Sequence, residues 1–324
     1  MNESANSKVT AGVDLGGTKI QTVILRNRKV VGSCRELTPQ TGVAGDVIQA
    51  MLDTIRASLA EASAAESEIG GVGIGTPGEV DSKAGVVSLA ANVPGFSDPV
   101  AVGPIVSEAL GDVSVSVDND VSVGVLGDAR RGAGRPYKNL LGVWVGTGVG
   151  GGLMIDGKLH DGRGAAGEIG HMIVKPEGRR CGCGRRGCVE AYSGRAAMER
   201  HAQNLMKRGR KTNLFKIMKR RKREHLSSGV YAHALESGDP MTIKLIEQAS
   251  WALALGIASA QNLMDFEAVI VGGGLGDRLG KPFIDSIAEQ MRPHLFAPDD
   301  APAVIGTELQ DLSGAVGAAV LAGG

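Results

Sequence analysis

The segment Val9-Thr10-Ala11-Gly12-Val13-Asp14-Leu15-Gly16-Gly17-Thr18-Lys19-Ile20-Gln21-Thr22-Val23-Ile24-Leu25 reads as two β-rich runs joined by a glycine turn. Val9, Ala11 and Val13 alternate before the turn and Ile20 to Leu25 follow it, so a hairpin is predicted. The design recurs from Asn139. Leu140 to Val145 form a strand, Gly146-Thr147-Gly148-Val149-Gly150-Gly151-Gly152 a glycine turn, and Leu153 to Asp156 a returning strand. Phosphate oxygens need closely approaching backbone N–H groups, which glycine permits by removing the Cβ. Two such units in corresponding places point to a duplicated architecture with a nucleotide between its halves, although their identity is too low to define a repeat. Either loop taken alone is better read as a plain tight turn.

Outward from these hairpins, Gly45 to Ala64 carries Val47, Ile48, Met51, Leu52, Ile55 and Leu59 at helical spacing. Gly71 to Gly75 and Val113 to Val117 read as buried strands, and Val121 to Arg131 as a helix. Later come a helix over Pro240 to Met264, a strand over Ala268 to Val271 and a glycine turn over Gly272 to Gly276. A helix from about Pro282 to Met291 and a short Ala- and Gly-rich helix over Leu312 to Leu321 complete the pattern.

A chain of 324 residues accommodates two domains. Aromatic residues are only 3%, so the cores must rely on Val, Ile, Leu and Ala. Lys plus Arg and Asp plus Glu balance at 35 each, which removes any global field favouring nucleic acid or an anionic membrane. No apolar stretch is long enough to span a bilayer, and Met1 to Lys8 lacks the regions of a signal peptide. A cytoplasmic location is expected. Arg200 to Arg223 is strongly basic, but with one aromatic residue, Phe215, and no base-reading motif it reads as a solvated helical surface; no nucleic-acid partner is expected. Cys34 falls in the predicted strand Val30 to Cys34 and reads as a buried small hydrophobe, whereas Cys181, Cys183 and Cys188 cluster like metal ligands.

Gly146, Gly148 and Gly151 satisfy a dinucleotide fingerprint, but that motif requires a helix where Leu153 to Asp156 reads as a strand. No G-x-x-x-x-G-K-[ST] occurs, which disfavours a P-loop. Paired hairpin cradles are instead the arrangement of the sugar kinase, actin and heat-shock chaperone superfamily.

Asp14-Leu15-Gly16-Gly17-Thr18-Lys19 resembles the first phosphate motif of the ROK (repressor, ORF, kinase) family, and Gly146-Thr147-Gly148 the second. Gly75-Thr76-Pro77-Gly78 and Asn92-Val93-Pro94-Gly95 resemble its sugar-site segments, and Asn119-Asp120 its catalytic motif. Glu168-Ile169-Gly170-His171 and Cys181-Gly182-Cys183-Gly184-Arg185-Arg186-Gly187-Cys188-Val189-Glu190 resemble its sugar and zinc signature, and Val271-Gly272-Gly273-Gly274 its adenosine-binding turn. These motifs run in family order along nearly the whole chain. Ser122 and Asp128 depart from the Asn and Glu that family members often carry there.

The resemblance implies a two-domain α/β sugar kinase/actin-like (ribonuclease-H-like) fold with a nucleotide and sugar cleft between the domains. The smaller domain would span 1–119, completed by a helix at about 312–324, and the larger 120–311 with the zinc loop. It implies an ATP-dependent kinase acting on the 6-hydroxyl of a hexose, glucose before N-acetylglucosamine, N-acetylmannosamine, mannose or fructose, and forming a homodimer or homotetramer. Asp120 would be the catalytic base; Gly78, Asn92, Asn119, Asp120, Glu168, His171 and Glu190 would hold the sugar. Asp14, Gly16, Gly17, Thr18, Lys19, Gly146, Thr147, Gly148, Gly272, Gly273 and Gly274 would hold the nucleotide, with Mg²⁺ across the phosphates. His171, Cys181, Cys183 and Cys188 supply the four N and S donors of a structural Zn²⁺ site, with Arg179, Arg180, Arg185 and Arg186 to offset its charge. A helix N-cap is the plain structural reading of Asp120, and Asp118 shares its face if the segment is extended. A sugar-responsive regulator is the alternative from another class. It would need a DNA-binding domain before Asp14, where 13 residues stand. A nucleotide-hydrolysing chaperone would have no use for the sugar and zinc signature.

Overall fold

A computed structural model of the chain describes residues 8–90 and 92–323. The chain divides into two units, residues up to Arg135 together with Asp311 onward, and Pro136–Gln310. The expected domain termini at 1–7 and 324 lie outside the described residues.

The first unit holds a five-stranded sheet built from β1 (Val9–Leu15), β2 (Lys19–Arg26), β3 (Lys29–Leu37), β4 (Ile69–Thr76) and, further along, β7 (Val115–Asn119). Its order is β3-β2-β1-β4-β7, antiparallel from β3 to β1 and parallel from β1 to β7. A small hairpin, β5 (Glu79–Asp81) with β6 (Val86–Ser88), follows β4. Helix α1 (Ala44–Glu61) buries the predicted stripe from Val47 to Leu59. Helices α2 (Val102–Ala109) and α3 (Asp120–Arg131), and the C-terminal helix, α10 in chain order (Ser313–Gly323), complete the unit.

Close backbone approach explains the Ala- and Gly-rich tail. A Cβ on Gly12 or Gly73 would overlap the backbone of Ala315 or Ala318 in α10, and one on Gly317 would overlap the Val123 carbonyl of α3. Buried Asp128 of α3 accepts a hydrogen bond from Ser313 Oγ of α10 at 2.6 Å. Helix α3 therefore sits with α10 in the first unit, and the division falls at 135/136 rather than 119/120.

The second unit repeats the sheet. Strands β8 (Leu140–Val145), β9 (Val149–Ile155), β10 (Lys158–Leu159), β11 (Ala268–Gly272) and β12 (Ala303–Gly306) run in the order β10-β9-β8-β11-β12. The meander from β10 to β8 is antiparallel and the pairings onward to β12 are parallel, as in the first unit. Helices α4 (Glu190–Ser193), α5 (Arg195–Lys207), α6 (Leu214–Arg220), α7 (Ser228–Glu236), α8 (Pro240–Met264) and α9 (Gly273–Met291) lie between these strands in sequence. Asp239 caps α8 by accepting from Thr242 N–H at 2.9 Å, Pro240 occupies its first turn, and Asp265 ends it at a φ of 52°.

Two local expectations need correction, and a third gains detail. The glycine run after β11 is the first turn of α9 rather than a separate turn; the helix is broken at Gly280, where φ is 61°, and its apolar spacing becomes readable only beyond Pro282. Cys34 is half-buried, because β3 is an edge strand whose Val30 and Val31 are also exposed. The basic segment is two helices, α5 and α6, interrupted at Gly209 with a φ of 83°. Among the described residues no helix is long and apolar enough to cross a membrane.

The surroundings of two glycines, one in α10 and one in α1, predict opposite outcomes for their substitution. Gly317→Ala should destabilise the protein by about 1–3 kcal/mol through overpacking. Gly45→Ala, inside α1 with only a Val43 methyl 3.9 Å from the added carbon, should stabilise it by about 0.5–1 kcal/mol. Denaturant titration of both variants checks the pair.

Candidate active site and metal centre

The turn between β1 and β2 is held by its carbonyls. Thr38 Oγ1 donates to Gly16 O at 2.6 Å, Gln40 Nε2 to Gly17 O at 3.1 Å, and Thr38 N–H to Thr18 O at 3.1 Å. Gly16 N–H closes the turn onto Lys19 O at 2.9 Å. Among the described residues the N–H groups of Gly17 and Thr18 find no acceptor. The turn between β8 and β9 is built alike. Gly146 N–H bonds Gly148 O at 2.9 Å, while the carbonyls of Gly146 and Thr147 accept from Arg195 and Ala196 N–H at 3.2 and 3.1 Å. Among the described residues the N–H groups of Thr147 and Gly148 likewise find no acceptor. Each glycine turn thus presents two adjacent unpaired donors, the feature an oxyanion requires.

Sequence reasoning passed over the groups that hold these turns. Thr38 and Gln40 act from the segment just after β3, and Arg195, at the start of α5, donates through Nη2 to Thr147 Oγ1 at 3.1 Å. Asp311 is a further omission: it lies 3.6 Å from Lys19 Nζ and 3.2 Å from Arg35 Nη2. No local periodicity marks such partners.

In the first unit Asn119, not Asp120, is the N-cap of α3; its Oδ1 accepts from Val121 and Ser122 N–H at 2.9 and 3.3 Å. The helix begins at Asp120, so the strand alternation that would place Asp118 and Asp120 on one face ends at Asn119. Asp118 turns back onto Asn119 N–H at 2.7 Å. Burial raises the Asp120 pKa, opposed by the hydrogen bond from Val121 N–H. Asp14, near the end of β1, is pushed up to about 7, by burial first and then by the charge of Asp120; Lys19 pulls the other way. Gly17 packs against the Asn92 carbonyl, and Gly78 turns at a φ of 101° beside Ser88 and Ala90. The structure therefore brings Asn92 to the first glycine turn and couples Asp14 to Asp120.

In the second unit Glu168, His171, Cys181, Cys183, Cys188 and Glu190 come together. The Cys181–Cys188 knuckle is shaped by the Cys181 N–H bond to Arg185 O at 2.8 Å and by positive φ at Gly184 and Gly187. One donor atom from each of His171, Cys181, Cys183 and Cys188 lies within 4.8 Å of all the others. Zn–S bonds of about 2.3 Å at tetrahedral angles separate two sulfurs by about 3.8 Å. Cys183 and Cys188 Sγ stand 3.8 Å apart, and Cys181 Sγ is 3.8 Å from His171 Nδ1. The donor set fits zinc. Burial pushes the Cys181 thiol up to about 12, whereas a hydrogen bond from Arg185 draws Cys183 down to about 6. Arg179, expected to offset the metal charge, instead stacks on Tyr192 and bonds Gln248.

With Nδ1 toward the sulfurs, His171 keeps Nε2 on the other edge, 3.9 Å from Glu168 Oε2. Glu190 joins this centre to the second glycine turn: its Oε2 accepts from Val149 N–H at 3.0 Å and its Oε1 lies 3.5 Å from Cys181 Sγ. A Cβ on Gly148 would strike Glu190 Oε2 and push that carboxylate aside. At the start of α9, Gly273 adopts a φ of 78° where a Cβ would press on Val145. A cavity of about 420 Å³ opens nearby, lined by Gly276, Asp277, Lys281 and Thr307 among others, but not by Gly272, Gly273 or Gly274.

Residues 10–324 match the sequence profile of the ROK family. A glucokinase of Streptomyces coelicolor is 33% identical over 320 residues, covering 97% of each chain. An N-acetylmannosamine kinase of Vibrio cholerae is 30% identical over 297 residues, covering 91% of this chain and 93% of that one. The crystal structure of a ROK family glucokinase from Streptomyces griseus, in complex with glucose and AMPPNP, superposes with a TM-score of 0.77 at 30% identity, covering 97% of this chain and 99% of that one.

The raised pKa of Asp14 has a signed consequence for stability. Folding moves its pKa from 3.8 to about 7, so the native state holds a proton that the unfolded chain has released. Its contribution is full below pH 3.8 and is lost as pH rises to about 7. The slope contributed approaches about 1.4 kcal/mol per pH unit within that window. Denaturant titrations of ligand-free protein across the window should show a shallower decline for Asp14→Asn than for wild type; parallel curves would remove the assignment.

Proposed function

This chain belongs to the ROK family, and on that footing we propose that it transfers the γ-phosphoryl group of ATP to the 6-hydroxyl of a hexose, with glucose preferred. The observation that carries this reading is the Asp120 carboxyl, half-buried at the first turn of α3 with its pKa raised by desolvation. Phosphoryl transfer asks a protein for positioning and charge stabilisation rather than covalent chemistry. As the sugar oxygen bonds to phosphorus, its proton passes to the Asp120 carboxylate, and ADP leaves with the electron pair of the broken P–O bond. A carboxylate of raised pKa is the stronger base for that step.

The open N–H pairs at Gly17–Thr18 and Thr147–Gly148 receive phosphate oxygens, Gly16 and Gly146 shape those turns, and Lys19 adds charge. Gly272, Gly273 and Gly274 give the adenosine a close backbone surface. Asp14 would hold Mg²⁺, which would supply charge neutralisation to the ATP phosphates. The sugar hydroxyls are held by Asn92, Asn119 through its uncommitted amide nitrogen, Glu168, His171 and Glu190, with Gly78 giving close backbone approach. His171, Cys181, Cys183 and Cys188 would hold a structural Zn²⁺. Four protein donors leave no coordination position for a reactant, so the ion supplies rigidity to His171 and Glu190.

Glucose is supported by the name of the Streptomyces coelicolor relative and by the glucose bound in the Streptomyces griseus protein, whose AMPPNP supports ATP as donor. The Vibrio cholerae relative favours N-acetylmannosamine as the second reading. Comparing kcat/KM for the two sugars decides between them, and a higher value for N-acetylmannosamine would reverse the preference.

Asp120→Asn should lower kcat by about 10²–10⁴-fold with the KM for ATP little changed. Undiminished turnover would take the proton-accepting role away from Asp120. Removing the metal should raise the KM for sugar before that for ATP, because the centre braces sugar contacts; chelation that weakens both equally would contradict this order.

A further inference from the structure

The second unit contains a larger cavity, about 560 Å³, none of whose ten lining residues belongs to the candidate nucleotide, sugar or metal groups. Its floor is apolar, with Leu205 from α5 and Met241 and Leu245 from the first turns of α8. Its rim is cationic. Arg179 comes from the metal-binding loop, Arg210 and Lys211 from the α5–α6 connection, and Lys244 from α8. No lining residue is acidic, and among the described residues none of these four side chains forms an ion pair. The nearby carboxylate at the α8 N-terminus is already engaged. Asp239 accepts from Thr242 N–H at 2.9 Å, Asn213 N–H at 2.7 Å and Thr212 Oγ1 at 3.1 Å, which also pins the Arg210–Lys211 connection to α8.

Arg179 points most directly to a ligand. Its Nη2 donates to Gln248 Oε1 and its guanidinium lies 4.6 Å from the Tyr192 ring centroid, while Nη1 is buried with no hydrogen-bond partner. Its backbone is fixed too, N–H to Tyr192 Oη at 3.1 Å and carbonyl to Gly187 N–H at 2.9 Å. A fixed, largely desolvated guanidinium without a counter-charge is unfavourable, and an anion in the cavity beside it would offset that charge. Four like charges lining one cavity repel one another, which an anion of at least two charges relieves. A phosphoryl group is the compact form of such an anion, and its oxygens match the arginine fork. His201, brought down to about 4 by burial and by Arg179, stays neutral beside it and adds no further charge. The volume falls among those of small-molecule sites, and the apolar floor leaves room for an organic body.

We propose that this cavity binds a small organic phosphate, its phosphoryl group held by Arg179, Arg210, Lys211 and Lys244 and its body lying over Met241 and Leu245. The proposal gives a role to the Arg210–Lys211 part of the basic segment, and it stands independently of the kinase reading.

Calorimetric titration of the full chain with 3-phosphoglycerate and, separately, inorganic phosphate at constant ionic strength tests it. The variant Arg210→Gln/Lys211→Gln should bind 3-phosphoglycerate at least about tenfold more weakly than wild type. Lys216→Gln/Lys219→Gln, exposed on α6 and outside the cavity, should bind it within about twofold of wild type. Inorganic phosphate should bind more weakly than 3-phosphoglycerate, for want of the floor contacts. Sugar phosphorylation without 3-phosphoglycerate should be equal in both variants, since neither alters a candidate catalytic group. No binding up to about 10 mM, a cutoff on the order of −3 kcal/mol, would overturn the proposal. So would equal loss in both double variants, which marks diffuse surface charge, or equal affinity for inorganic phosphate, which denies the floor a role.

Discussion

Backbone N–H groups without an acceptor are uncommon in folded proteins, and each glycine turn of this chain carries an adjacent pair of them. The arrangement is maintained by bonding the carbonyl side of each turn to other elements: to Thr38 and Gln40 in one unit, to the start of α5 in the other. One internal bond closes each turn, Gly16 N–H to Lys19 O and Gly146 N–H to Gly148 O, and among the described residues the other two donors stay open. The two sheets have corresponding strand orders, β3-β2-β1-β4-β7 and β10-β9-β8-β11-β12. In both, the glycine turn follows the first strand of its unit, so one turn design is used twice.

Electrostatics and metal chemistry are layered on these turns. In the first unit, burial makes the carboxyls of Asp14 and Asp120 reluctant to ionise, and their mutual repulsion adds to this for Asp14. A cationic ligand or a developing proton transfer relieves that condition. In the second unit, Glu190 couples two otherwise separate devices, since one oxygen caps the strand after the glycine turn and the other lies against a cysteine of the metal set. A shift of the knuckle would be felt at Val149, and through it at Thr147 and Gly148.

Much of this was legible in sequence, and what was not has a physical reason. The stripe of α1 and the bounds of α8 are set by local periodicity and by capping at Asp239 and Pro240, which a sequence displays directly. The hairpins were legible because glycine runs interrupt β-rich segments, and the metal set because its donors are chemically distinctive. The start of α9 was hidden because Gly273, Gly274 and Gly276 carry no side-chain pattern. Asp120 was read as a possible cap, but the helix begins one residue earlier in bonding terms, at Asn119. The partners Asp311, Thr38 and Arg195 meet the turns only through tertiary packing, and the assignment of α3 depends on α10, nearly two hundred residues away in the chain. The charge of the basic segment was plain, but its division around Gly209 and the pinning of Arg210 and Lys211 against α8 were not.

The account turns on whether these turns and Asp120 deliver phosphate to a sugar rather than to water. Phosphorus NMR of a reaction containing the protein, ATP, Mg²⁺ and glucose answers this directly. The account predicts ADP and a sugar phosphomonoester in equal amounts, the ester signal split by the two protons of the 6-methylene group. ADP accompanied only by inorganic phosphate, or an ester coupled to a single sugar proton, would contradict it.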